Sequence, residues 1–206
     1  TVGLHPQDIG EISSIEVAIS ELRELANNDK VVGIGEVGLD YYSSGMGEKG
    51  TVSKEEQDMQ KKILAAQLSL SLELDLPLVI HVRDAFSDMD SMLSGSNRGV
   101  VHCFTGSEKE AKIFLDKGFY LGFTGFVTFS QDKFDSIRSA VRYTPIDRIL
   151  IETDAPFLAP EPFRGKTNEP SYVLHVAEKI AEIKGMSLAA VAENTFKNTE
   201  KLFNLK

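Results

Sequence analysis

Only one cysteine, Cys103, stands among the 206 residues. No disulfide can form within the chain, and a reducing compartment is expected: the cytoplasm, with the nucleus as its eukaryotic counterpart. No apolar run approaches the roughly 18–20 residues of a membrane span, and Thr1 opens no signal-peptide pattern, so no membrane partner is expected. Basic residues are outnumbered. The formal charge of −9 argues against a globally basic nucleic-acid surface, but not against a local one, because screening acts over about 10 Å. No Gly-x-Gly-x-x-Gly follows an apolar run, which leaves the dinucleotide-binding version of an α/β fold without support. Low-complexity segments and short repeats are absent too.

What the chain does have is alternation. TVGL, VVGIGE, LPLVIHV, GVVHCF, FYLGFTG and ILIETD read as six strands. Helical patterns lie between and after them: 9–27, with apolar residues at Ile12, Ile15, Ile19, Leu22 and Leu25; 54–74; 85–93; 108–117; 132–143; 171–184; and 188–203. Ser187 is the expected N-cap of the last helix, with Gly185 just past the one before. Strands alternating with helices predict a parallel sheet, and short connections favour an α/β barrel or a doubly wound sheet. Residues 43–53, SSGMGEKGTVS, form the one flexible-looking insertion.

Four of the apolar runs finish on a residue able to bind metal: Glu36, His81, His102 and Asp154. Taken singly, each has a plainer account. A histidine after an apolar run is commonly a satisfied core residue, and Asp154 could cap the turn at Asp154–Ala155–Pro156. Taken together, four such residues at one structural position predict a metal site, because strand ends converge on the chemical face of an α/β barrel. Two imidazoles and two carboxylates suit divalent cations. Period-two alternation puts Arg83 on the face of His81, where it could bind an anionic oxygen, and pairs Glu152 with Asp154, His102 with Phe104 and Glu36 with Ile34. His5 ends the first run. Asp40 would orient a neighbour, His175 would be structural or exposed, and Cys103 would be a buried thiol.

The segments GLHP, GEVGLDYY, LPLVIHVRDA, VHCFTGS, LGFTGFVTF, ETDAPFLAP and FRGKTNEP, in this order and spacing, resemble the TatD family of metal-dependent deoxyribonucleases. The resemblance implies a (β/α)8 barrel of the amidohydrolase type that hydrolyses DNA phosphodiesters, acting as a 3′-5′ exonuclease with divalent metal ions (Mg, Mn or Zn). It makes Glu36 the bridging carboxylate, His81 and His102 ligands of one metal, and Asp154 a ligand of the other. His5 and Arg83 fall beside the scissile phosphate, and Arg164 and Asn168 in a loop near the site. The family's first strand carries a His-x-His pair, and no such pair occurs in this sequence. TVGLHP then corresponds to the third strand, and the expectation is one hydrolase domain over 1–206, a barrel lacking its first two βα units. Such a chain would hold one metal better than two. Asp154 would take the proton of the attacking water. Two other readings stay open: a small-molecule amidohydrolase or lactonase on the same scaffold, and an inactive fragment with a binding role.

Overall fold

The structure is a computed structural model that describes residues 1–43 and 50–205. The chain divides into two compact units, Thr1–Gly99 and Val100–Lys206.

In the first unit, strand β1 (Ile34–Asp40) pairs in parallel with β4 (Leu78–Arg83). Two short strands, β2 (Tyr42–Ser43) and β3 (Gly50–Thr51), form an antiparallel pair. They flank residues 44–49, the part of the expected flexible insertion that lies outside the described residues. Helix α1 (Ile15–Ala26) begins later than periodicity predicts, because the Ser14 side chain caps it by accepting from the Val17 N–H. Ile9–Glu11 forms a separate 3-10 turn. Helix α2 (Lys54–Leu74) opens on a Ser53/Glu56 capping box, ends at a left-handed Asp75, and buries Ile63, Leu64, Leu68 and Leu70. Helix α3 covers Phe86–Met92.

The expected first strand is reduced to a single parallel bridge, Val2 to Ile34. Its continuation is diverted. The Leu4 N–H donates to Oε1 of the buried Gln67 at 2.7 Å, and the Leu4 carbonyl accepts from Gln67 Nε2 at 3.2 Å. A helix side chain thereby takes both backbone groups that a neighbouring strand would have used.

In the second unit, β5 (Gly99–Val101), β6 (Tyr120–Phe123) and β7 (Ile149–Ile151) run in parallel, β6 pairing with both of the others. Helices α4 (Glu108–Asp116), α5 (Asp135–Tyr143), α6 (Val173–Lys184) and α7 (Leu188–Phe203) follow the predicted spans to within a few residues. Ser187 caps α7 and Gly185, at φ +63°, ends α6, as read from the sequence. Phe104, Phe114, Phe119 and Phe123 are fully buried, and Phe104 meets Phe114 and Phe123 edge-on. Lys184 donates to the carbonyls of Arg142 and Thr144, satisfying the C-terminal end of α5, and burial there pulls its pKa down.

Candidate metal centre

Side-chain direction in the first unit begins with an irregularity in β1. Gly35 is level with Val79 and Val37 with Ile80, so Glu36 is an extra residue opposite the gap between them. The bulge breaks the period that would have placed Glu36 on the face of Ile34, and it re-aims the carboxylate. Pairing also continues past the expected end, so Glu36 lies three residues into β1 rather than at its close. Gly38 permits this. A Cβ there would sit 1.8 Å from the His81 carbonyl oxygen, so no other residue allows the two strands to approach so closely. On β4 the alternation holds. Leu78, Ile80 and Val82 are buried, while Val79, His81 and Arg83 face the other way.

His81 lies between two carboxylates, with Nδ1 3.2 Å from Glu36 Oε1 and Nε2 3.2 Å from Asp40 Oδ2. Asp40 is almost fully buried and is itself held. Its Oδ2 accepts from Gln7 Nε2 at 2.7 Å, its Oδ1 from the Tyr42 N–H at 3.0 Å, and both its backbone groups bond the side-chain amide of Gln60. A histidine whose far nitrogen donates to a carboxylate presents the other as a lone pair, the usual arrangement of a metal-ligating imidazole. Burial alone would depress the His81 pKa, but the hydrogen bonds to Asp40 and Glu36 outweigh it and leave it raised. Desolvation likewise pushes Asp40 up, and the bonds from His81 and the Tyr42 amide prevail and lower it.

His5 completes this group, its ring edge-on to His81 with centroids 4.7 Å apart. One ligand atom each from His5, Glu36 and His81 lie within 4.8 Å of one another. The donor set suits a divalent cation. The 3.2 Å between His81 Nδ1 and Glu36 Oε1 is the spacing of adjacent donors bonded at about 2.1 Å to one ion. His5 has a different bias. Its Nδ1 accepts the Gln7 N–H at 3.2 Å, so a neutral ring carries its proton on Nε2 and offers a donor there. Burial and the neighbouring His81 lower its pKa, which favours the neutral ring. Arg83, exposed, lays its guanidinium over the Tyr42 ring at 3.6 Å.

In the second unit, β5 stops at Val101 and β7 at Ile151, so His102, Glu152 and Asp154 lie on the segments that follow rather than within strands. Cys103 adopts φ +45°, which breaks the alternation expected to join His102 to Phe104. Cys103 is only half-buried, against the expectation of a buried thiol, and its Sγ lies 3.2 Å from Thr124 Oγ1. Glu152 is the residue that sequence reasoning left out of the site. Its Oε2 lies 2.8 Å from His102 Nδ1 and its Oε1 accepts the Cys103 N–H at 2.6 Å, while His102 Nε2 is 3.5 Å from Asp154 Oδ1. His102 is thus held by Glu152 and directed at Asp154, as His81 is held by Asp40 and directed at Glu36. The i, i+2 spacing of Glu152 and Asp154 was the available signal. His175 is near the start of α6, with Nδ1 3.0 Å from Glu178.

Imidazoles braced from behind by carboxylates, on parallel βα units, place the chain among metal-dependent hydrolases. Residues 1–204 match the family described as TatD related DNase. The sequence is 42% identical over 208 residues to the uncharacterised metal-dependent hydrolase YabD of Bacillus subtilis, covering 99% of this chain and 76% of that one. It is 34% identical to the 3′-5′ ssDNA/RNA exonuclease TatD of Pectobacterium atrosepticum, covering 100% of this chain and 77% of that one. The crystal structure of YjjV, a TatD homologue from Escherichia coli K12, superimposes with a TM-score of 0.87 at 27% identity, covering 100% of this chain and 76% of YjjV. The chain belongs to the TatD family, and its α/β fold is that of the family's barrel-like structures. Among the described residues, no helix is long and apolar enough to cross a membrane.

Proposed function

We propose that this protein hydrolyses phosphodiester bonds of single-stranded DNA from the 3′ end. The observation that carries the reading is the Glu36–His81 pair, 3.2 Å apart, with His5 close beside it. It is supported by similarity to a relative named as a 3′-5′ exonuclease. Glu36 and His81 would hold a cation in the first unit, and His102 and Asp154 are the residues that could ligate one in the second. A divalent cation held by either pair would supply Lewis-acid chemistry at a phosphoryl oxygen. His5 donates from Nε2 to a phosphate oxygen, and Arg83 offsets developing negative charge. Asp154 takes the proton of the attacking water, and Glu152 steadies His102 through its contact with Nδ1. The water oxygen bonds to phosphorus, the bond to the departing strand breaks, and that oxygen gains a proton from solvent.

Single-stranded oligonucleotides labelled at either end, incubated with Mg, Mn or Zn and with EDTA, test this. Stepwise shortening of the 5′-labelled strand that stops in EDTA and returns with added metal is expected. Undiminished digestion in EDTA, or cleavage of small amides and lactones but of no oligonucleotide, overturns it.

A further inference from the structure

Three residues beyond Asp154, Phe157 leaves 68% of its surface in water, more than any other large hydrophobic side chain among the described residues. A single exposed ring is ordinary, but the backbone that carries this one is fixed at both its N–H and its carbonyl. The Phe157 N–H donates to the Asp154 carbonyl at 2.6 Å, and its own carbonyl accepts Nδ2 of the buried Asn168 at 2.6 Å. The Asn168 N–H in turn donates to the Pro156 carbonyl at 3.0 Å. Asn168 therefore ties the 163–170 segment to the turn that carries Asp154 and Phe157. That segment brings two exposed cations, Arg164 and Lys166. Each is set over an aromatic ring: Arg164 4.3 Å from the Phe129 centroid and Lys166 5.7 Å from that of Phe163, itself stacked on Tyr172 at 4.2 Å. The carboxylate beside Arg164, Glu161, is 3.9 Å away, too far for a strong hydrogen bond.

An exposed ring whose turn is tied to a segment carrying two exposed cations offers what a single nucleic-acid strand requires: a π-face for a base and positive charge for the phosphates. We propose that Phe157, Arg164 and Lys166 form a strand-holding subsite for single-stranded DNA, with Phe157 stacking on one base and the two cations contacting the backbone. This rests on the nuclease reading of the Asp154 site and extends it. Phe157 gives affinity without sequence preference, because every base has a π-face.

Binding is measured in EDTA, where no strand is consumed, by fluorescence anisotropy with labelled oligo(dT) and an abasic strand of equal length. Phe157→Ala is expected to weaken oligo(dT) binding roughly five- to a hundredfold, the range for one stacked base, with little effect on the abasic strand. Phe157→Tyr restores affinity. Lys166→Gln and Arg164→Gln should each lower the dependence of log affinity on log salt by about 0.7, one single-strand phosphate contact. Melting curves check that each variant is folded. Equal affinity of Phe157→Ala and wild type for oligo(dT), or no preference of the wild type for oligo(dT) over the abasic strand, overturns the subsite. If the expected binding differences appear but the metal-loaded protein cuts no DNA, the subsite stands and the nuclease reading fails. DNA cleavage without a Phe157 effect on binding leaves the nuclease and removes the subsite.

Discussion

Oδ2 of Asp40 lies 3.2 Å from Nε2 of His81 and also accepts the Gln7 amide at 2.7 Å. This oxygen fixes which imidazole nitrogen of His81 carries a proton, and hence which one is left for metal. Gln7 sits on both sides of the arrangement, since its backbone N–H also fixes the tautomer of His5. Asp40→Asn removes the charge while keeping the shape. Metal affinity should fall about 10–100-fold, as for other residues behind a ligand, with the fold retained. Calorimetric titration with Mn or Zn reads the affinity, and an unchanged value shows that Asp40 plays no part in metal binding.

The raised pKa of His81 gives a pH dependence of definite sign. Its protonated form is favoured in the folded, metal-free chain, so this group's stabilisation is complete below its ordinary value of 6.5 and is lost as pH rises through the folded value. Metal needs the deprotonated ring and gains over the same interval. His5 moves the other way, its pKa lowered by burial and by His81, which favours its neutral form. The rise in Tm on adding metal should therefore grow as pH climbs from about 6 into the range above 6.5. Replacing His81 by Asn should flatten the trend. A thermal shift independent of pH in the wild type would contradict this.

Gln67→Leu tests the clip on the first segment. It removes both bonds to Leu4 and leaves that residue's N–H and carbonyl without their partner. Two partly buried backbone groups left unpaired cost about 1–3 kcal/mol each at most. With about 2–4 °C per kcal/mol for a chain of this size, Tm should drop by several degrees. Thermal denaturation checks it, and a Tm within error of wild type would mean that water replaces the amide at no cost.

The strand–helix alternation was legible because each element carries its own period and, at Ser187 and Gly185, its own punctuation. Histidines and carboxylates after apolar runs were legible from residue chemistry alone. What escaped depends on backbone groups far apart in the chain. Gln60 and Gln67 look like ordinary polar positions of α2, yet they are buried two turns apart and hold Asp40 and Leu4. No periodicity marks a glutamine that imitates a strand. The bulge at Glu36 was equally hidden, because a period-two count cannot see an inserted residue. Glu152 was paired with Asp154 on the assumption that β7 continued, but the strand ends at Ile151.

Gly122 gives the sharpest test of Glu152. A Cβ at Gly122 would lie 2.5 Å from Glu152 Oε1 and 2.9 Å from its Cδ. The obstacle is the tip of a flexible side chain, so Gly122→Ala can be accommodated if Glu152 swings aside, at small cost to the fold. That movement takes Oε1 from the Cys103 N–H and Oε2 from His102 Nδ1. His102 loses its support, and metal-dependent hydrolysis should fall about 10–100-fold while Tm stays close to that of the wild type. Gly125→Ala is the contrast. Its Cβ would meet the Leu158 backbone oxygen at 2.2 Å, which cannot swing away, so stability should fall first. Denaturation midpoints and hydrolysis rates measured side by side separate the two cases. A Gly122→Ala variant with full activity would show that the Glu152–His102 contact is dispensable, and one that simply unfolds would show that Glu152 is locked in place.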